Sequence, residues 1–281
     1  MDNQKRSVVI TGAASGIGRA CALRFDRLGY RVLAGVRRPE DAEALKAASD
    51  GRIEPLTLEV TNQQTVTAAA AVLGDAPLHG LVNNAGIAVA GPVELVPLER
   101  WRTQLEINVI GLVSVTQAFL PALRRGCGRI VNIGSIAGRS ALPCSGPYCA
   151  SKYAVEAITD SLRMELAPFG IAVAVSEPGA VATPIWDKSA RIAEEMSGQV
   201  DPSLYQLYSG LVDKIRKLAA QAGRGAIPVE EVVRAVEHAL TSARPHTRYP
   251  VGRDAKLRLL LKRLPDRVMD RLIMRRISAS T

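Results

Sequence analysis

A run of β-branched residues, Ser7-Val8-Val9-Ile10-Thr11, breaks into Gly12-Ala13-Ala14-Ser15-Gly16-Ile17-Gly18 and then into a segment with helical spacing to about residue 28. No other stretch narrows the choice of folds as much. It predicts a strand, a tight turn and a helix in immediate succession. Glycine lets a backbone approach a ligand closely, and a helix start offers free N–H groups and a positive dipole end. A plain strand–turn–helix corner does not require glycine at 12, 16 and 18 with a hydroxyl at Ser15. The expectation is a pyrophosphate held at the helix start. The spacing is Gly-x-x-x-Gly-x-Gly, not the Gly-x-Gly-x-x-Gly dinucleotide fingerprint.

The same alternation continues. Short apolar runs predict strands over residues 31–36, 53–58, 78–82, 128–135 and 172–176. Helical spacing fills the gaps, over 39–48, 62–73, 97–123 and 147–169, and returns at 229–240. Arg248-Tyr249-Pro250 ends a last strand. Strands and helices in strict alternation give an α/β fold, a single doubly wound parallel sheet with helices on both faces and ligand at the carboxyl ends of the strands. Nothing reads as a linker, so residues 1–281 are expected to form one domain.

Tyr148 and Lys152 stand four apart, which on a helix puts both on one face. A phenol titrates near 10 and is a poor acid or base at neutral pH, but a neighbouring cation favours the phenolate. Ser135 lies thirteen residues before the tyrosine, at the end of an apolar run, where its hydroxyl could hold a carbonyl oxygen against it. Taken alone, Tyr-x-x-x-Lys is equally an ordinary helix face with an exposed lysine.

Together these motifs resemble those of the short-chain dehydrogenase/reductase family. Thr11 to Gly18 matches its cofactor loop, Asn83-Asn84-Ala85-Gly86 its second signature, and Asn108, Ser135, Tyr148 and Lys152 its catalytic tetrad in order and spacing. Pro178-Gly179 and Thr183 match its last cofactor segment, so the likeness covers about residues 7–185. The tail from Arg248 to Arg267 is similar to those of family members near the retinol and 17β-hydroxysteroid dehydrogenases.

The resemblance implies roles. Gly12, Ser15, Gly16, Ile17 and Gly18 would cradle the pyrophosphate, and Glu59 and Val60 would lie beside the adenine, with Glu59 where the family commonly has Asp. Asn84, Ala85 and Gly86 would pass close to the cofactor. Pro178, Gly179, Val181 and Thr183 would wrap the nicotinamide. Ser135 and Tyr148 would bind the substrate oxygen, Lys152 would lower the tyrosine pKa and bond the nicotinamide ribose, and Asn108 would anchor a proton-relay water. Aligned on the family, the acidic ribose-binding position is Val36, followed by Arg37 and Arg38. With no carboxylate to repel a 2′-phosphate and Arg37 available to attract one, NADP(H) is favoured over NAD(H). The implied activity interconverts an alcohol and a ketone or aldehyde, on a lipophilic substrate, in a homo-dimer or homo-tetramer. The alternative is a regulatory protein that holds NADP(H) without turnover.

Composition excludes other classes. The four cysteines and three histidines show no metal-ligand spacing, and reduced thiols point to a cytoplasmic setting. No signal core follows the basic residues near Met1, and no uninterrupted apolar run suggests a transmembrane helix. The net charge is +9, of which residues 253–277 carry +6 through nine Lys/Arg and three Asp. That is a local feature without a nucleic-acid motif, so no nucleic-acid partner is expected. Within this tail Leu257, Leu260, Leu261, Leu264, Val268 and Leu272 recur every three or four residues, with Pro265 as the first-turn residue of a second helix. The expectation is an apolar face packed over the substrate cleft, the alternative a peripheral contact with an anionic membrane. The region 185–227 is expected to form a substrate lid, with Trp186, Tyr205, Leu207, Tyr208, Leu211 and Ile215 along one stripe.

Overall fold

The computed structural model describes residues 6–279. The segment before Arg6, whose basic residues are read above as preceding no signal core, lies outside the described residues.

Seven strands form one parallel sheet: β1 (Ser7–Ile10), β2 (Arg31–Val36), β3 (Ile53–Thr57), β4 (Gly80–Asn83), β5 (Arg129–Ile133), β6 (Ala172–Pro178) and β7 (Arg248–Val251). Their order is β3-β2-β1-β4-β5-β6-β7, and every neighbouring pair is parallel. Residues such as Val8, Val9, Ile10, Leu33 and Ile130 are fully buried, as expected of strands covered on both faces. The order reverses between β1 and β4, which opens a crevice at the carboxyl ends of those two strands.

One face is covered by α1 (Gly16–Arg27), α2 (Pro39–Ala47) and α9 (Val229–Thr241), packed through Phe25, Leu45, Val232 and Val236. The other face carries α3 (Gln63–Ala71), a helical run that begins with α4 (Leu98–Leu105) and ends with α5 (Gly111–Gly126), and then α6 (Gly146–Leu166). Asn62 starts α3 by accepting from the Gln64 and Thr65 amides. The α4–α5 helix, Leu98–Gly126, is long and apolar enough on average to cross a membrane, although the sequence reading expects no such segment. Averaging over a window tolerates the polar residues that interrupt an apolar run. Here Val115, Phe119 and Leu123 are buried in the core beneath the sheet.

Beyond the sheet lie α7 (Ile185–Ser197), α8 (Pro202–Arg224), α10 (Arg253–Leu261) and α11 (Asp266–Ser278). Pro265 stands one residue before α11, as its cap and not inside its first turn.

Candidate active site

The expected site residues converge on one edge of the sheet. Gly12, Ser15, Gly16, Ile17 and Gly18 form the turn after β1 and the first turn of α1; Arg37 follows β2, and Glu59 and Val60 follow β3. Asn84, Ala85 and Gly86 follow β4, Ser135 follows β5, Pro178 ends β6, and Gly179, Val181 and Thr183 lead into α7. All of these lie at strand carboxyl ends.

The nucleotide end is a tight backbone cradle. Thr11 Oγ1 accepts from the Asn84 and Ala85 amides at 2.9 and 3.0 Å, and Asn84 Nδ2 donates to Thr11 O and Gly12 O at 2.9 and 3.1 Å. A β-carbon at residue 18 would stand 2.4 Å from both Gly12 O and Asn84 Nδ2, a distance no packing tolerates. Gly16 has φ +54, and a β-carbon there would meet Thr183 at 3.2 Å, so a side chain would fill the gap between the first turn and the last loop. Neither the Ser15 hydroxyl nor an acidic residue engages the first-turn N–H groups of α1. Those donors and the dipole end therefore fit a pyrophosphate.

Arg37 and Arg38 each have a carboxylate partner. Arg37 meets Glu59 at 3.3 Å and Arg38 meets Asp41 at 2.8 Å, all on the surface. Glu59 thus reaches across to Arg37, a contact its extra methylene permits.

Asn108 sits in a π-helical turn, Glu106–Ile110, between α4 and α5. Its amide is fully engaged: Nδ2 donates to Ile87 O at 3.0 Å and Ser151 Oγ at 3.1 Å, and Oδ1 accepts from the Ile87 amide at 2.9 Å. Ser135 opens a short 3₁₀ turn, Ile136–Gly138, its Oγ accepting from the Ala137 amide at 3.1 Å. The same hydroxyl donates to Pro178 O at 3.5 Å and is close enough to the Tyr148 phenol to lower its pKa. Lys152 is buried below, where Nζ donates to Ile133 O at 2.7 Å and lies 5.8 Å from the Tyr148 ring centre. Trp186 of α7 packs edge-on against that ring, with centroids 6.4 Å apart.

This is a nucleotide cradle at a sheet switch point with a hydroxyl–phenol–ammonium cluster beside it. The short chain dehydrogenase family model matches residues 6–193, well over half of the chain. The chain belongs to the short-chain dehydrogenase/reductase family. It is similar to Retinol dehydrogenase 7 of Mus musculus, 37% identical over 279 residues that span 96% of this chain and 88% of that protein. Among solved structures it resembles a short chain dehydrogenase from Burkholderia cenocepacia J2315 in complex with NADP, with TM-score 0.74, 28% identity and 97% and 99% of the two chains covered. It also resembles a short chain dehydrogenase/reductase from Burkholderia phymatum in complex with NAD, with TM-score 0.77, 25% identity and 96% of each chain covered. The chain is therefore an oxidoreductase acting on CH–OH groups, built on an NAD(P)-binding fold.

The electrostatics of this dehydrogenase centre differ from the simple sequence picture. Burial pushes the Tyr148 phenol up to about 12, and only the Ser135 hydroxyl pulls it down appreciably. Burial also pushes Lys152 down to about 8, while the Glu156 carboxylate raises it. In the protein alone desolvation dominates the phenol, and Lys152, whose Nζ donates to the Ile133 carbonyl, is not among the groups that shift it.

Sequence reasoning missed two bracing residues in the tail. Asp254 Oδ2 accepts from the Ala180 amide at 3.0 Å and fixes the loop after β6. Arg258, one turn later, donates to Ser140 O beside the 3₁₀ turn. The available signal was an acidic residue opening an otherwise basic helix. These contacts correct the expected packing of the tail: the inner face of α10 is Asp254, Ala255 and Arg258. Leu257 and Leu260 are more than half exposed, Leu264, Val268 and Leu272 are 37–39% exposed, and Leu261 is half-buried. The buried apolar residues of α11 are Met269 and Ile277. The leucine face does not cover the cleft.

Proposed function

We propose that this dehydrogenase interconverts a lipophilic alcohol and its ketone or aldehyde with NADP(H), using Ser135, Tyr148, Lys152 and Asn108. One observation carries the reading: the Ser135 hydroxyl, the Tyr148 phenol and buried Lys152 come together beside the nucleotide cradle, with Trp186 against the tyrosine ring. When bound, the nicotinamide cofactor supplies or accepts the hydride. Ser135 Oγ–H and the Tyr148 O–H both donate to the substrate oxygen. With its pKa raised, Tyr148 is protonated at neutral pH and ready to give its proton in reduction. Oxidation needs the phenolate, so it gains as pH rises. Lys152 favours the phenolate while charged, and its Nζ has donors beyond the one given to Ile133 O for a ribose hydroxyl. With both Asn108 Nδ2 hydrogens and one Oδ1 lone pair engaged, its backbone carbonyl is the group we assign to the relay water.

NADP preference rests on Val36 and Arg37. The Arg37–Glu59 pair is exposed, and such pairs are worth about 0–1 kcal/mol. That is little against a 2′-phosphate dianion, so the guanidinium can change partners. A lipophilic substrate fits the half-buried lid residues Tyr205, Leu211 and Ile215 and the apolar cluster of Val89, Val96, Trp101 and Met196 beneath α7. The retinol dehydrogenase name of a relative points the same way. Exposed Ile110 and Met164, on the helices bearing Asn108 and Tyr148, suit pairing with a second copy. The open leucine face among basic residues suits peripheral contact with an anionic membrane.

The test is cofactor absorbance over steroids, retinoids, long-chain alcohols and small ketones. Turnover with NADP(H), favouring the lipophilic members, is expected. No turnover with either cofactor on any substrate would overturn the reading.

A further inference from the structure

Behind the Tyr148–Lys152 face, α6 turns further charged side chains toward β6 and β7. Glu156, one turn after Lys152, is 6% exposed and Glu177 on β6 is 1% exposed. They share one guanidinium. Arg248, opening β7, donates through Nη1 to Glu156 Oε2 and, at 3.1 Å, to Glu177 Oε1; its Nη2 reaches both Asp160 oxygens at 2.8 and 2.7 Å. Arg139 donates to Glu177 Oε1 at 2.9 Å, and Arg163 donates to Asp160. Lys262 and Arg263 line the outer cavity, about 370 Å³, into which Arg139, Glu177 and Arg248 also face.

The second oxygen of Glu156, Oε1, has no hydrogen-bond partner among the described residues. It lies behind the loop that delivers Ser135. A β-carbon on Gly134 would stand 3.2 Å from Oε1, and one on Gly138 would stand 3.2 Å from Glu156 Cγ. Lys152 Nζ bonds the carbonyl of Ile133, the residue immediately before Gly134. The ammonium and the open carboxylate oxygen therefore sit against adjacent residues of one loop. A buried carboxylate oxygen left without a partner weakens a fold. Stability alone does not account for Glu156 at this place.

We propose that Glu156 is a positioning residue for the dehydrogenase centre: its carboxylate keeps Lys152 charged beneath Tyr148, and Arg248, with Arg139 behind it, keeps that carboxylate ionised. This rests on the assignment of Tyr148 and Lys152 above. The charge balance supports it. Burial and then Glu177 push Glu156 up to about 7 even with Arg248 and Arg139 pulling it down, so the carboxylate is ionised across the alkaline range in which Lys152 loses its proton. Burial pushes Lys152 down and Glu156 raises it. With Glu156 ionised, Lys152 therefore keeps its proton to higher pH.

The experiment is the pH profile of kcat/KM for alcohol oxidation. In Glu156→Gln the alkaline limb should move down by about 1 pH unit or more, the size of shift that losing a nearby opposite charge produces. Glu156→Asp should restore most of it. Arg139→Gln, at a side chain 37% exposed and so tolerant of change, should move the limb in the same direction by less. It keeps the test decisive if Glu156→Gln does not fold. A lower melting temperature with the limb unmoved in every variant that folds would overturn the proposal. Lys152→Met separates the two levels. If it retains wild-type turnover, the underlying assignment fails. If it abolishes turnover while the limb stays fixed in the other variants, only the role of Glu156 fails.

Discussion

From β1 to the loop after β6 most large apolar side chains are sealed between sheet and helices, as are those of α9, whereas α8, α10 and α11 leave much of their apolar surface in water. Phe25, Leu33, Leu81 and Phe119 are fully buried, but α8 has no buried residue and its Leu207 is 77% exposed. The outer helices meet the sealed part through contacts such as Trp186 on Tyr148, Asp254 on the Ala180 amide and Arg258 on Ser140. A centre that must hold geometry to fractions of an ångström belongs on the sealed part. A cover that admits bulky substrate can be lightly packed. On the proposed reading chemistry belongs to one region and recognition to the other, and substitutions in each should behave accordingly.

The largest effect is expected at Tyr148→Phe. The ring still packs on Trp186, but the transferable proton is gone, so turnover should fall by roughly 10²–10⁴-fold with cofactor affinity nearly intact. Retention of half the wild-type rate would remove Tyr148 from the chemistry. Gly18→Ala comes next. Its β-carbon would collide with Gly12 O and Asn84 Nδ2 at 2.4 Å, so a loss of about 1–3 kcal/mol in unfolding free energy is expected, with weaker cofactor binding. An unchanged denaturation midpoint would mean that the cradle is looser than its contacts imply. Arg37→Asp should swing the ratio of NADP to NAD dissociation constants toward NAD by about tenfold, or roughly 1.4 kcal/mol. A wild type that already prefers NAD would undo the premise. The smallest effect on folding is expected in the tail. Leu260→Ser should change stability by less than about 0.5 kcal/mol, since that side chain is 60% exposed. It should nonetheless reduce sedimentation with anionic vesicles at low salt. Equal binding of variant and wild type to anionic and neutral vesicles would end the membrane reading.

The same contrast governs what could be read from the sequence. The extent of β2 was legible because a strand covered on both faces is a plain apolar run from Arg31 to Val36. The Ser135–Tyr148–Lys152 cluster was legible only through the family resemblance, since helical spacing alone reads as an ordinary helix face with an exposed lysine. The π turn at Asn108 was not, since nothing in Glu106-Ile107-Asn108-Val109-Ile110 departs from an ordinary helix. The tail helices were legible in position but not in orientation. Leucine spacing marks an amphipathic helix, but the buried side was decided by Asp254 and Arg258, whose partners are backbone groups more than seventy residues away. The balance between Tyr148 and Lys152 was likewise hidden, because desolvation depends on neighbours that spacing does not reveal.

The most direct measurement follows the hydride. With NADPH deuterated at the transferable C4 position and a lipophilic ketone or aldehyde, the account predicts deuterium on the carbinol carbon of the product, seen by mass spectrometry, and almost none with Tyr148→Phe at equal cofactor occupancy. Cofactor that binds tightly and keeps its deuterium across the whole substrate panel would contradict it, and would leave a protein that holds NADPH without turnover.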